Sequence, residues 1–220
     1  MIASEVAKLK PFSFYLKQRK IQTNLPIMVM VWLTSAFCYY LVLTLINSFD
    51  KVYVAGIISS VSELIAYVTS ACLFSCLGVK KSLITCFLLS AISGVAIIAW
   101  GLQHQDTVVF FLVFMFAKFG VSCTFNIEYI VMNRCFPTLF VASAMGICNF
   151  LATIASGSSY LIGQMPQPTP MYLFTGLCSL TSFCVLFLQV RPEAKKRETP
   201  PDSPEGFEEA VKSMVVQDPQ

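Results

Sequence analysis

The sequence predicts an all-α membrane protein, a bundle of six transmembrane helices, and three observations carry that expectation. The 220 residues are 56% hydrophobic and only 12% charged, against roughly 25% charged residues in an ordinary soluble domain. Six apolar runs follow one another near the length of about 20 residues that crosses a bilayer: Pro26–Ile46, Val52–Leu77, Ser82–Leu102, Val108–Met132, Leu139–Ile162 and Met171–Val190. Short polar stretches separate them, at Asn47–Lys51, Gly78–Lys81, Gln103–Thr107, Asn133–Thr138 and Gly163–Pro170. Links this short force an up-and-down path. The runs are too long and too continuously apolar for barrel strands, which alternate. A soluble fold could not hide so much apolar surface in so short a chain, whereas lipid solvates the outer faces of a bundle.

Taken in order, the chain divides into a basic cytoplasmic segment at 1–23, a transmembrane domain at 24–190 and a polar tail at 191–220. Within the first segment, Lys10–Thr23 reads KPFSFYLKQRKIQT, basic and aromatic residues interleaved as in a short helix lying at a membrane face or a plain basic linker. The run after it begins too far from Met1 and is too long for a cleaved signal. The second run carries Glu63, and the fourth carries Lys118 and Glu128. An ionisable group at bilayer depth costs several kcal/mol and normally faces a bundle interior or a wet cavity. The alternative is snorkelling to the interface, which is open to Glu128, about a turn from the inner boundary, more than to Glu63 and Lys118, which lie deeper. The fifth run pairs Ala142 with Gly146 and Thr153 with Gly157, spacings that permit close helix approach. Pro166, Pro168 and Pro170 stiffen the last outer loop. The tail, with Pro192, Pro200, Pro201 and Pro204, is expected to be disordered, with a brief helix at Phe207–Val216.

Lys and Arg set the orientation. Lys8, Lys10, Lys17, Arg19, Lys20, Lys80, Lys81, Arg134, Arg191, Lys195, Lys196 and Arg197 fall on one side, and Lys51 alone on the other. Both termini are therefore expected in the cytoplasm. The net charge of +3 reflects this asymmetry and does not point to nucleic acid. The nine cysteines lie in or beside spans or, for Cys135, in an inner loop, so they read as small hydrophobes rather than disulfide or zinc ligands. The single histidine, His104, has no Cys or Glu at ligand spacing, and a Ser–His–Asp arrangement with Asp106 would have to come from one short turn. No phosphate-cradling glycine motif is present. The chain is not expected to be an enzyme, or to hold a metal or cofactor.

Several runs resemble the organic cation, organic anion and carnitine transporters of the major facilitator superfamily, in their second half. Phe37-Cys-Tyr-Tyr40 resembles that family's aromatic stretch. Ser62-Glu-Leu-Ile-Ala-Tyr67 resembles V-E-x-P-A-Y, with Ile65 replacing proline. Lys118-Phe-Gly-Val-Ser122, with Phe125 and Tyr129, resembles G-K-F-G-x-[ST]-x-x-F-x-x-x-Y, with Ala117 for the first glycine; Phe136-Pro-Thr138 resembles Y-P-T. Departures occur at the inner loops. D-R-x-G-R-[RK] becomes Ser75-Cys-Leu-Gly-Val-Lys-Lys81, and A-E-L-Y-P-T-x-x-R becomes Asn133-Arg-Cys-Phe-Pro-Thr-Leu-Phe-Val141. Thr153 stands where many relatives carry a charged substrate contact, and Glu128 is an addition.

The resemblance implies twelve helices in two halves of six, with substrate bound between them, and this chain as one half. It implies a secondary transporter of small organic ions, in the plasma membrane or an organelle membrane, completed by a second half or another copy. Glu63, Lys118, Tyr67, Phe125, Tyr129 and Thr153 are the substrate contacts it implies. The damaged loop motifs and single half also fit a transporter-derived scaffold or assembly module that no longer transports.

Overall fold

The computed structural model describes residues 19–46, 52–100 and 107–190, apart from the side chains of 138 and 139. The readings for the chain up to residue 18, for the links at 47–51 and 101–106, His104 and Asp106 among them, and for the tail from 191 lie outside the described residues.

Among the described residues, six helices follow in order: α1 (Arg19–Ile46), α2 (Val52–Leu77), α3 (Val79–Ala99), α4 (Val108–Cys135), α5 (Thr138–Gly163) and α6 (Thr169–Val185). No strand occurs among the described residues. Five helices are long and apolar enough to cross a membrane. α1 starts earlier than its apolar run and continues through Pro26, a residue membrane helices tolerate better than soluble ones. α6 departs from the expected Met171–Val190. It begins at Thr169, with Pro170 in the first turn where the missing N–H costs nothing. Its 17 residues rise about 25 Å at 1.5 Å each, short of a hydrocarbon core of about 30 Å. The chain then tightens, with Leu186, Phe187 and Leu188 donating to the carbonyls of Phe183, Cys184 and Val185, each three residues back.

The α2–α3 and α4–α5 links are minimal. Gly78 alone joins α2 to α3, with φ 75° and ψ 169°. No L side chain adopts that conformation without strain, which accounts for glycine in a loop where other family-like positions have changed. α1 and α4 form the centre. α1 packs on α5, α4 and α6; α4 packs on α3, α2 and α1; α3 also packs on α6. α2 touches α4 through a narrow stripe of small residues, Ala55, Ser59, Ser62, Ala66 and Ser70, and leaves Tyr53, Ile57, Leu64 and Val68 exposed. α5 is likewise buried along one edge, at Phe140, Ala144, Cys148 and Ala152.

Close helix approach occurs at three glycines: Gly94, against the Thr175 and Phe174 side chains of α6; Gly120, where a methyl group would lie 2.6 Å from the Cys86 carbonyl and against Ser90; and Gly163, where it would lie 2.6 Å from the Thr44 side chain of α1. It does not occur at the pairs singled out in α5. Gly146 and Gly157 have nothing within 4 Å of an added methyl, because α5 turns its other edge to α1.

The starts of α1 and α3 and the end of α6 meet at one end of the bundle. Buried Asn24 donates its amide to the Gln189 carbonyl at 2.7 Å and accepts the Gln189 N–H at 2.9 Å. Lys80 donates to the Leu186 carbonyl. Alternation of the helices puts Arg19, Lys20, Lys80, Lys81 and Arg134 at this same end.

Candidate functional site

The polar chemistry inside the bundle gathers where α1, α2 and α4 adjoin. Glu63 sits midway along α2 and is the sole charged residue of that helix. Its Oε1 accepts from the Tyr39 hydroxyl of α1 at 2.9 Å and from Tyr67, one turn on, at 3.4 Å. Its Oε2 lies 3.9 Å from the Lys118 ammonium of α4, with the lysine side chain 0% exposed and the glutamate 25% exposed. That separation is an ion pair but too long for a hydrogen bond. The ammonium instead sits 3.3 Å from the centroid of the Tyr39 ring, where the negative face of the π system attracts it.

Helical spacing builds the rest of the site. Lys118, Ser122 and Asn126 recur every four residues on one stripe of α4, with Phe125 and Tyr129 beside them. Lys118 Nζ, Ser122 Oγ and Asn126 Nδ2 have no hydrogen-bond partner within the protein, and neither does Trp32 Nε1 of α1. Buried donors are nearly always satisfied, so donors left open along one stripe mark a surface suited to an acceptor-bearing ligand. The aromatic residues form a continuous wall. Ring centroids are 5.7 Å apart for Tyr39 and Phe125, 6.1 Å for Phe125 and Tyr129, and 4.9 Å for Trp32 and Tyr129. Tyr67 is 55% exposed and Tyr129 42%, so the polar cluster opens through these two rings to the outer face of the bundle.

Five of the six residues expected from the sequence are thus in this constellation: Glu63, Lys118, Tyr67, Phe125 and Tyr129. Thr153 is not joined to it. It is exposed on α5 and spends its hydroxyl on the Asn149 carbonyl of its own helix, at 2.8 Å. Tyr39 and Trp32 escaped the sequence reading. Tyr39 lay in the aromatic run already compared with the family, but only the packing of α1 against α2 and α4 gives it a role. Of the two positions open to Glu128, the bundle interior is the one observed: it is 0% exposed and does not snorkel.

These features define a six-helix membrane bundle with an ion pair and an aromatic wall at the junction of its helices. No family model matches the chain. It is similar to solute carrier family 22 member 6-A of Xenopus laevis, 24% identical over 189 residues, covering 84% of this chain and 33% of the relative. It is also similar to the organic cation/carnitine transporter 2 of Homo sapiens, 26% identical over 166 residues, covering 73% of this chain and 29% of the relative. The chain therefore spans about a third of the length of these relatives. In sequence and helical architecture it fits one half of a major facilitator transporter of the organic cation, anion and carnitine kind.

Proposed function

We propose that this chain supplies one half of a secondary transport pathway for small organic ions. A second six-helix half, upstream or separate, or another copy of the chain, faces it across the cleft. The observation that carries this reading is the α4 stripe of unpartnered donors beside the Glu63–Lys118 pair, opening between Tyr67 and Tyr129. A loosely held pair of opposite charges suits a zwitterion or organic ion. Glu63 meets a cationic group, and Lys118, Ser122 and Asn126 meet an anionic or carbonyl group. Alternating access then rocks this unit against its partner around the cleft. Both termini are on the basic, cytoplasmic side, and the membrane is the plasma membrane or that of an organelle.

The test is uptake of a panel of organic cations, anions and carnitine-like zwitterions by the chain with its natural partner or upstream half. A charge-assisted contact is worth about 1.5–3 kcal/mol. Glu63→Gln should therefore depress cation or zwitterion uptake roughly tenfold or more, and Lys118→Gln anion uptake likewise, per molecule at the cell surface. Failure of every panel member with the intact assembly, or normal uptake by both variants, overturns this reading in favour of a non-transporting module.

A further inference from the structure

The transport reading leaves one membrane charge unused. Glu128 is 0% exposed, and neither carboxylate oxygen has a hydrogen-bond partner. Ser35 of α1 lies alongside it but gives its hydroxyl proton to the Val31 carbonyl at 2.8 Å. From α5 the facing titratable group is the buried thiol of Cys148; on α4 itself it is Tyr129.

The inventory of cations is short enough to take helix by helix. α1 carries only Arg19 and Lys20, at its exposed start; α3 carries only Lys80 and Lys81; α2 carries only Glu63; α5 and α6 carry no charge. Lys80 is engaged at the end of α6, and Lys118 at Glu63 and Tyr39. Lys118 is ten residues from Glu128, about 15 Å along the helix, and exposed Arg134 is six residues on, about 9 Å along it. No described cation packs against this carboxyl. An isolated buried carboxylate neutralises rather than stay charged.

We propose that Glu128 is a proton-binding site. It holds its proton while α1, α4 and α5 are packed as observed, and releases it to water when the contact among these helices opens. The ligand is a proton exchanged with water, and the element it biases is the α1–α5 packing beside Cys148. Coupling of this proton to solute movement rests on the transport reading, so the test reads the carboxyl and the packing directly.

The purified full chain in phosphatidylcholine nanodiscs is titrated from acid to alkaline pH by infrared spectroscopy. The protonated-carboxyl C=O band that is missing from Glu128→Gln should shrink by at least half as pH rises. Over the same range, Cys148 alkylation by N-ethylmaleimide is compared, by mass spectrometry, with that of Cys178, a buried thiol that lies 3.8 Å from the Cys38 sulfur, on a helix that carries no carboxylate. The same ratio in Glu128→Gln accounts for the thiols' own titration. The ratio should rise several-fold in the native chain and stay flat in Glu128→Gln. Should that variant fail to fold, Glu128→Asp identifies the band by a frequency shift and provides the comparison chain. A Glu128 band absent at the lowest pH, a band unchanged across the range, or a flat ratio in the native chain each overturns the proposal. None of these outcomes depends on whether the chain transports.

Discussion

Glu63→Gln should destabilise the bundle more than Lys118→Met, and the double variant should recover most of the loss. The asymmetry follows from burial. Lys118 is 0% exposed and Glu63 25% exposed, with 3.9 Å between the charged atoms. Coulomb's law at that distance gives about 4 kcal/mol for an effective dielectric of about 20, and partial exposure of Glu63 reduces it. Lys118 keeps the Tyr39 ring when the carboxylate is neutralised, which leaves a net cost for Glu63→Gln of about 2 kcal/mol. Lys118→Met removes the buried charge and fills similar volume. It strands a carboxylate that still has the Tyr39 and Tyr67 hydroxyls and part of its surface open, so it should cost under about 1 kcal/mol. Replacing both charges removes the unpaired ion altogether, a change that is often neutral. Thermal unfolding in detergent can be followed by a thiol-reactive dye, because Cys38, Cys86, Cys123, Cys135, Cys148 and Cys178 are buried until the bundle opens. At about 2–4 °C per kcal/mol for a chain of this size, Glu63→Gln should lower Tm by about 4–8 °C, and the double variant should return most of that. Equal losses for the two single variants, or a double variant at the sum of both, refutes the argument that Lys118 depends on Glu63.

Three further outcomes follow from the structure. Gly78→Ala should cost about 1–3 kcal/mol by backbone strain alone, since an added methyl there meets nothing within 4 Å; the same unfolding assay with Gly56→Ala as a helical control isolates the effect of the positive φ. Gly120→Ala should lower Tm sharply, because the methyl lies 2.6 Å from a backbone oxygen of α3, whereas Gly146→Ala, with open space, should leave the isolated chain unchanged; equal effects would contradict the α3–α4 contact. For topology, His104→Cys and Gln167→Cys, in a background without native cysteines, should react with an impermeant thiol reagent from outside intact cells, and labelling of Lys81→Cys instead would reverse the orientation.

The sequence determined the class and the order of the helices. The bilayer demands long apolar runs, and that demand is local, so run length and polar punctuation at Ile46, Val52, Leu77 and Val108 coincide with observed helix ends. The cost of charge in lipid is also local, and it marked Glu63 and Lys118 before any packing was known. What only the tertiary structure decided depends on which faces meet. The helical period allowed Gly146 and Gly157 to be contacts, but α5 presents its other edge to α1, and the close approaches fall at Gly94, Gly120 and, at the end of α5, Gly163. Thr153 had a family-like position, yet its hydroxyl turns back on its own helix. Tyr39 is one aromatic among many until α1 crosses beside α2 and α4 and places its hydroxyl on Glu63 and its ring under Lys118. Glu128 has the same charge as Glu63 and a helix end nearer to hand. It is buried without a partner because α1 and α5 close over that face of α4, a fact of helix packing that the spacing along one helix does not contain.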